Sequence, residues 1–460
     1  MKKFLFRLLS VIMVITLIAC SSESGGESSN TVDKDIDIVS DMDGTVRVAL
    51  AGWQLESGID PITGIENIGL NEFLEQEFKP RYPNIKLEVY QIPWENAQAK
   101  QTAMLQSGDV DILYTGGAFA SQWYQQGLLR GLDDLIENDA TFDKSIYLQG
   151  IWENSYSTKS YDKTEHFGIP AVLGRRVTLY DKQLFDEWGV DYISGNPTPE
   201  EILEKAIQMT GKNPKTGEEN YGLWWDGKSL NASTFVALTH AFGATGGEGT
   251  LADVNNIQWE LNSPEMGKVM EWLKEASRYA PSAFLNTQGA ENFGLEGNSV
   301  AIYLDGTGAS TMGEVAASGD TALLERYESA LNLGPNGEGW VAVDPFVMSK
   351  DAENEEASWE VLKFLTGYET QKWNYDNFKS TPTLANADFV SEDDKYMKTA
   401  MEIAEVSKSS LMDEANPFFG SEIVPAINGF ISEAHNGDAP DIQTFLDNLQ
   451  ERAVKWSANQ

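Results

Sequence analysis

The chain has 460 residues, with 33 Lys plus Arg against 71 Asp plus Glu, three His and one Cys, and a formal net charge of -38. That balance opposes a nucleic-acid track or a polybasic membrane face, both of which need clustered cations. A single Cys excludes an intrachain disulfide framework, and so few Cys and His leave little for a zinc site, so neither a metal nor a cofactor is expected.

The chain opens with Lys2, Lys3 and Arg7, then runs apolar from Leu8 to Ala19. Such a run is shorter than the about 20 residues a finished span needs, so residues 1–19 read as a secretory signal peptide. Its end, Leu17-Ile18-Ala19-Cys20, resembles a bacterial lipoprotein box. The resemblance implies cleavage before Cys20 and a diacylglycerol on its thiol, and two or three acyl chains anchor durably where one is marginal. Residues 20–44 are Ser, Gly and acid with almost no aromatic content, the composition of a flexible tether. The acids from Asp33 to Asp43 lack the Gly and Glu spacing of a calcium loop.

Order is expected from about residue 45. VRVAL reads as a strand with Trp53 just beyond it, and NEFLEQEF (71–78) puts Phe73, Leu74 and Phe78 on one helical side until Pro80 and Pro83 close it. Ile85, Leu87 and Val89 alternate as a half-buried strand, residues 95–106 suit a helix, and Val110–Tyr114 form an apolar strand stopped by Gly116-Gly117. Strand, helix, strand, helix, strand is an α/β pattern. Further along, 211–220 reads as a surface loop, and PEMGKVMEWLKEASRYA (264–280) is a Pro-opened helix with an apolar stripe. A strand over 299–304 ends at Asp305-Gly306, one or two helices fill 358–378, and a terminal helix covers 440–457. No segment after Cys20 is apolar enough to cross a membrane.

Enzyme signatures are missing: no P-loop, no dinucleotide fingerprint, no His-Glu-x-x-His and no nucleophile elbow. His166, His240 and His435 stand far apart in sequence. With so many acids, a carboxyl pair across a cleft stays open as a glycosidase alternative.

Several segments together carry a resemblance: LQSGDVDILYTGG (105–117), QWYQQGLLRGLDDLI (122–136), FGIPAVLGRRVTLYDKQLFDEWGV (167–190), NSPEMGKVMEWLKEA (262–276), FGLEGNSVAIYLDG (293–306), the stretch from Val341 to Leu365, and STP at 380–382. In this order they resemble the extracellular solute-binding proteins of bacterial ABC importers, in the large maltose-binding-protein-like group that takes sugars and oligosaccharides. Val110 stands where that family commonly has Pro. The resemblance implies a bilobal periplasmic-binding-protein-like α/β fold, two lobes joined by crossover hinge segments around a ligand cleft. It also implies a non-catalytic, monomeric receptor that serves an ABC permease from the outer face of the membrane, compatible with a Gram-positive surface. Lobe one is expected over 45–172, lobe two over 173–305, a return strand and hinge to lobe one over 306–350, and shared C-terminal helices over 351–460.

Sugars present apolar C–H faces edged by hydroxyls, so a site for them needs aromatic platforms beside acids, amides and guanidinium groups. The chain has 13 Trp, several of them at strand ends or Gly-rich turns. Candidate platforms are Trp53, Trp123, Trp224, Trp225, Trp340, Trp373, Tyr375 and Phe419. Trp373 and Tyr375 are taken to follow a helix, and Phe419 to lie in a loop. Candidate polar contacts are Glu56, Arg175, Arg176, Asp226 and Asp305, with Gly116 and Gly117 letting backbone N–H groups approach a ligand. An oligosaccharide leads as ligand. A polyamine, peptide or other organic ion is the alternative that convergent acids would serve, and a lipid-anchored glycoside hydrolase is the catalytic one.

Overall fold

The computed structural model describes residues 42–59, 66–174, 176–225, 233–286, 288–306 and 319–460. Two five-stranded sheets organise them. Their strands are, in chain order, β1 (Gly44–Ala51), β2 (Ile85–Ile92), β3 (Ile112–Tyr114), β4 (Gly168–Leu173) and β5 (Val177–Asp181). Then follow β6 (Gly211–Lys212), β7 (Glu219–Trp224), β8 (Val300–Gly306), β9 (Tyr327–Ala330) and β10 (Val343–Met348).

The first sheet has the order β2-β1-β3-β10-β4 and the second β9-β5-β8-β7-β6. The most apolar runs take central places: β3 is buried throughout and β1 is buried over its last four residues, as strands covered on both faces require. β2, where Lys86 and Gln91 are exposed, sits at an edge. Each sheet has its own core. The first gathers Val48, Leu50, Ile112, Leu113, Phe346 and Leu362, the second Leu179, Leu223, Val269, Ile302, Phe430 and Leu449.

Helix ends follow local chemistry. Ser263 caps the Met266 N–H and Pro264 opens the Pro264–Ala276 helix, whose Met266, Val269, Met270, Leu273 and Ala276 are buried. It ends at Ala276, before the expected limit, and a short 3-10 turn, Ser277–Tyr279, takes over. Residues 211–220 are a hairpin edge, not a loop: Gly211 and Lys212 pair with Asn220 and Glu219. The Asn213 side-chain Oδ1 accepts from the N–H groups of Lys215 and Thr216, and Gly217 takes φ +74, which together make the turn.

Among the described residues the chain passes between lobes three times. Gly174 to Arg176 link β4 to β5, residues 331–342 link β9 to β10, and residues 379–394 join the Tyr368–Phe378 helix to the Lys395–Val406 helix. Residues 306–350 therefore do not all return to the first lobe, because Tyr327–Ala330 pairs with β5 in the second sheet. Of the C-terminal helices, Trp359, Leu362 and Trp373 enter the first core, whereas Tyr396, Ile403, Phe430 and Leu449 enter the second. The crossings touch: Gly174 N–H donates to the Ala342 carbonyl at 2.9 Å, and Leu173 N–H to the Thr381 carbonyl at 3.1 Å. A Cβ on Gly174 would lie 2.7 Å from that of Ala342, so glycine permits this approach.

Among the described residues each lobe also buries one Arg–Asp pair. Arg47 clamps Asp111, with its Nη2 at 2.8 Å from Oδ1, and Arg326 clamps Asp181 at 2.5 Å; both carboxylates are fully buried.

Candidate ligand-binding site

Strand direction decides which sheet edges face each other. β1, β2 and β3 are parallel and finish side by side at Ala51, Ile92 and Tyr114. β10 is antiparallel to β3, so its start at Val343 and Asp344 lies at the same edge, beside Leu173 and Val172 of β4. In the second sheet β7 ends at Trp224 and β8 at Gly306, while the antiparallel β5 begins there at Val177. The crossings 174–176 and 331–342 run between these two edges, so a cleft separates them. Strand carboxyl ends are where α/β sheets leave a crevice for ligand.

One end of this cleft is aromatic. Trp53, Trp94, Tyr114 and Trp373 line a cavity of about 270 Å³, with Gln54, Asn374 and Ser380 as its polar groups. Trp53 is buried, with ring centroids 5.2 Å from Tyr114, 5.5 Å from Phe346 and 5.7 Å from Trp373. Trp373 stacks on Phe73 at 4.9 Å and donates its indole N–H to the Ile68 carbonyl at 3.0 Å. Trp94 differs, being 44 % exposed. It lies across Gly52, which has φ +72 and where a Cβ would come within 2.0 Å of the indole nitrogen.

The other end is charged. Asp344, Asp413 and Glu414 are each half-buried. Burial pushes their pKa values up, to about 7, about 6 and about 8 respectively. For Glu414 the neighbouring Asp413 and Asp344 add to the rise and Arg176 opposes it. Asp344 accepts from the Tyr114 hydroxyl at 3.3 Å and from the Gly117 N–H, and Asp413 accepts from the Ala415 N–H at 2.9 Å. The Arg176 guanidinium stands 5.6 Å from the centroid of the Trp340 ring. Lys163 donates to Ser409 at 2.5 Å and lies 4.8 Å from the Tyr156 ring centroid, and burial lowers its pKa. Tyr114 touches both ends: it lines the aromatic cavity and bonds Asp344.

Residues 64–372 match the family described as bacterial extracellular solute-binding protein. The chain belongs to that family. Among curated proteins no sequence match is found. Solved structures share its bilobal fold at low identity. The sugar-binding protein MalE from Xanthomonas citri matches with a TM-score of 0.71 at 16% identity, over 90% of this chain and 98% of the other. An ABC substrate-binding protein from Listeria monocytogenes, in complex with cycloalternan, matches with a TM-score of 0.62 at 19% identity, over 90% and 99%. The MalE domain from Bdellovibrio bacteriovorus, bound to maltotriose, matches with a TM-score of 0.57 at 16% identity, over 91% and 100%.

In this solute-binding protein the candidates from the sequence divide into groups. Trp53 and Trp373 line the aromatic cavity, Gly116 and Gly117 follow the end of β3, Arg176 stands in the first crossing, and Trp340, in the second, is buried in the second core. Gly117 is held there by packing, since a Cβ would meet Ser157 Oγ at 2.1 Å and the Val343 carbonyl at 2.4 Å. Trp373 and Tyr375 lie inside the Tyr368–Phe378 helix, not after it. Tyr375 is turned away from the cleft, packing with Val390 and Met397 and donating to Asp394 at 3.1 Å. Trp123 is buried in the first core and bonds Thr102. Trp224 and Trp225 reach the right edge of the second sheet but are core residues. Trp224 packs on Tyr303 and bonds the Gln288 carbonyl, and Trp225 lies against Phe284. Phe419 is buried and opens a π-helical turn, Phe419–Ile423, where a loop was expected. Glu56 is exposed and accepts from Asn71. Arg175, Asp226 and Cys20 lie outside the described residues, and of Asp305 only the strand backbone lies within them.

Sequence reasoning missed Trp94, Tyr114, Lys163, Asp344, Asp413 and Glu414. Trp94 carries a readable signal, since it follows β2 as Trp53 follows β1. The acids carry none, because nothing local separates them from the other acidic residues. Among the described residues no group of His, Cys, Asp or Glu could hold a metal ion, and no helix is long and apolar enough to cross a membrane.

Proposed function

We propose that this solute-binding protein captures an oligosaccharide in the cleft and delivers it to an ABC permease without breaking a bond. The observation that carries the reading is the exposed Trp94 face over the aromatic cavity, with Gln54, Asn374 and Ser380 at its rim and carboxyls at the far end. Aromatic faces take sugar C–H surfaces, and amides and carboxyls take hydroxyls. The neighbours solved with cycloalternan and maltotriose support the same ligand class. The protein would act as a monomer at the outer face of the cytoplasmic membrane, on a Gram-positive surface, tethered by the lipid on Cys20; the lipoprotein box supports the tether.

A thermal-shift and calorimetric screen against α- and β-linked di- to hexasaccharides tests the reading. A clear shift with one linkage series, and intact glycan recovered afterwards, is the expected result. No shift with any glycan beside a shift with a polyamine or peptide would replace it, and product formation would make the protein a glycosidase.

A further inference from the structure

The polar groups of the aromatic cavity, Gln54, Asn374 and Ser380, are all uncharged, and among the described residues no Asp, Glu, Lys, Arg or His lines it. In a chain with 71 acids and 33 basic residues this depends on where the nearby charges are held. Lys379 stands between two lining residues, Phe378 and Ser380, yet its Nζ lies 4.4 Å from the centroid of the Tyr375 ring, which is turned away from the cleft. Glu56, two residues beyond Gln54, accepts from the Asn71 amide at 2.9 Å. Asp344 is held by the Tyr114 hydroxyl at 3.3 Å; Tyr114 lines the cavity and Asp344 does not.

The groups that do line the cavity keep hydrogen-bonding capacity to spare. Asn374 is 8 % exposed; its Oδ1 accepts from Ser380 Oγ at 2.9 Å, while its amide N–H groups have no partner among the described residues. The Trp94 indole N–H has none there either. Gln54 donates its amide to the Glu56 carbonyl at 2.9 Å and keeps its own Oε1 as an acceptor. A hydroxyl donates and accepts, so it can use either kind of group. A carboxylate would leave water for a wall without a cation, and an ammonium for a wall without an anion, and an unpaired charge is the costliest group to bury. Aromatic faces return to a cation only part of what it loses on leaving water. Size sets a second limit. The volume of about 270 Å³ lies below the about 300–1,000 Å³ of pockets that enclose whole drug-sized ligands, which leaves room for one sugar ring and not for a chain.

Resting on the oligosaccharide reading, we propose that the aromatic cavity is a subsite for a single uncharged sugar ring, and that it rejects the same ring when it bears a carboxylate or an ammonium group. The charge class of the glycan is then set by this wall, and not by the acids elsewhere in the cleft.

The test is calorimetry of the full chain at neutral pH with maltotriose and, separately, cellotriose. Each is compared with relatives in which one ring at a time is replaced by a hexuronic acid, or by a sugar carrying a primary amine at the same carbon. At one ring position both charged forms should bind at least about tenfold more weakly than the unmodified trisaccharide. Asn374→Asp puts a carboxylate in the wall, so the amine form should gain at least about tenfold on the unmodified trisaccharide at that position. Ser380→Asp makes the same test if Asn374→Asp does not fold. A charged ring of either sign accepted at every position, or an order of binding that neither acid variant moves, overturns the inference and leaves the oligosaccharide reading standing. Binding of neither trisaccharide overturns the inference, and if spermidine binds instead it overturns the oligosaccharide reading as well.

Discussion

The two ends of the cleft are built on different principles. At the aromatic end Trp53 and Trp373 are part of the first lobe's core, locked by Phe73, Tyr114 and Phe346, so its shape is set by packing. At the charged end Asp344 and Asp413 are half-buried side chains on a strand start and a loop, held by few bonds. Rigid apolar surface suits recognition of a ring, and loosely paired carboxyls suit adjustment to hydroxyls. The difference predicts that damage at one end is felt as lost fold and at the other as altered response.

The largest expected effect is Trp53→Ala. Removing a buried indole from among three aromatic neighbours should cost about 3–5 kcal/mol, read by denaturant unfolding. A loss under about 1 kcal/mol would mean that the aromatic end is not part of the core. Next is Trp94→Ala, which separates platform from scaffold: glycan binding should weaken by about 1–2 kcal/mol with little change in stability, because this ring is 44 % exposed and lies outside the first core. Equal loss in both would make Trp94 part of the scaffold as well.

Asp344→Asn probes the charged end. A carboxyl whose folded pKa lies above its unfolded value destabilises the fold once ionised, so the parent loses stability as pH rises from about 4 towards about 7. The variant should match the parent in acid and exceed it above neutrality, in pH-dependent melting curves. A variant less stable at every pH would make the Tyr114 bond the dominant contribution. Smallest is salt: raising ionic strength should change the affinity of Trp94→Ala and of the parent alike, whereas Arg176→Ala should alter the salt dependence itself.

Much of the fold was legible, and the reasons are local. VRVAL, Ile85–Val89, the apolar run around Ile112 and the Pro264 helix state their structure in periodicity and caps. The hairpin at 211–220 was not, because its turn depends on the Asn213 side chain and a left-handed Gly217, which composition reads as loop. The site was less legible for a different reason. Trp224 and Trp225 stand at a strand end, where a platform would, but only packing on Tyr303 and Phe284 reveals them as core. Asp344 and Glu414 are 70 residues apart and meet only through folding.

The hydrogen bonds that stitch the three crossings together have a mechanical meaning. Two bodies joined at one point may swing and twist in any direction, but bodies joined along a strip keep one axis of rotation. With Gly174 bonded to Ala342 and Leu173 to Thr381, the lobes are connected like a door along its edge. A joint of this kind resists sliding and twisting more than opening, which leaves the angle between lobes as the easiest motion. A distance probe placed anywhere across the mouth should then report the same motion, scaled only by its lever arm.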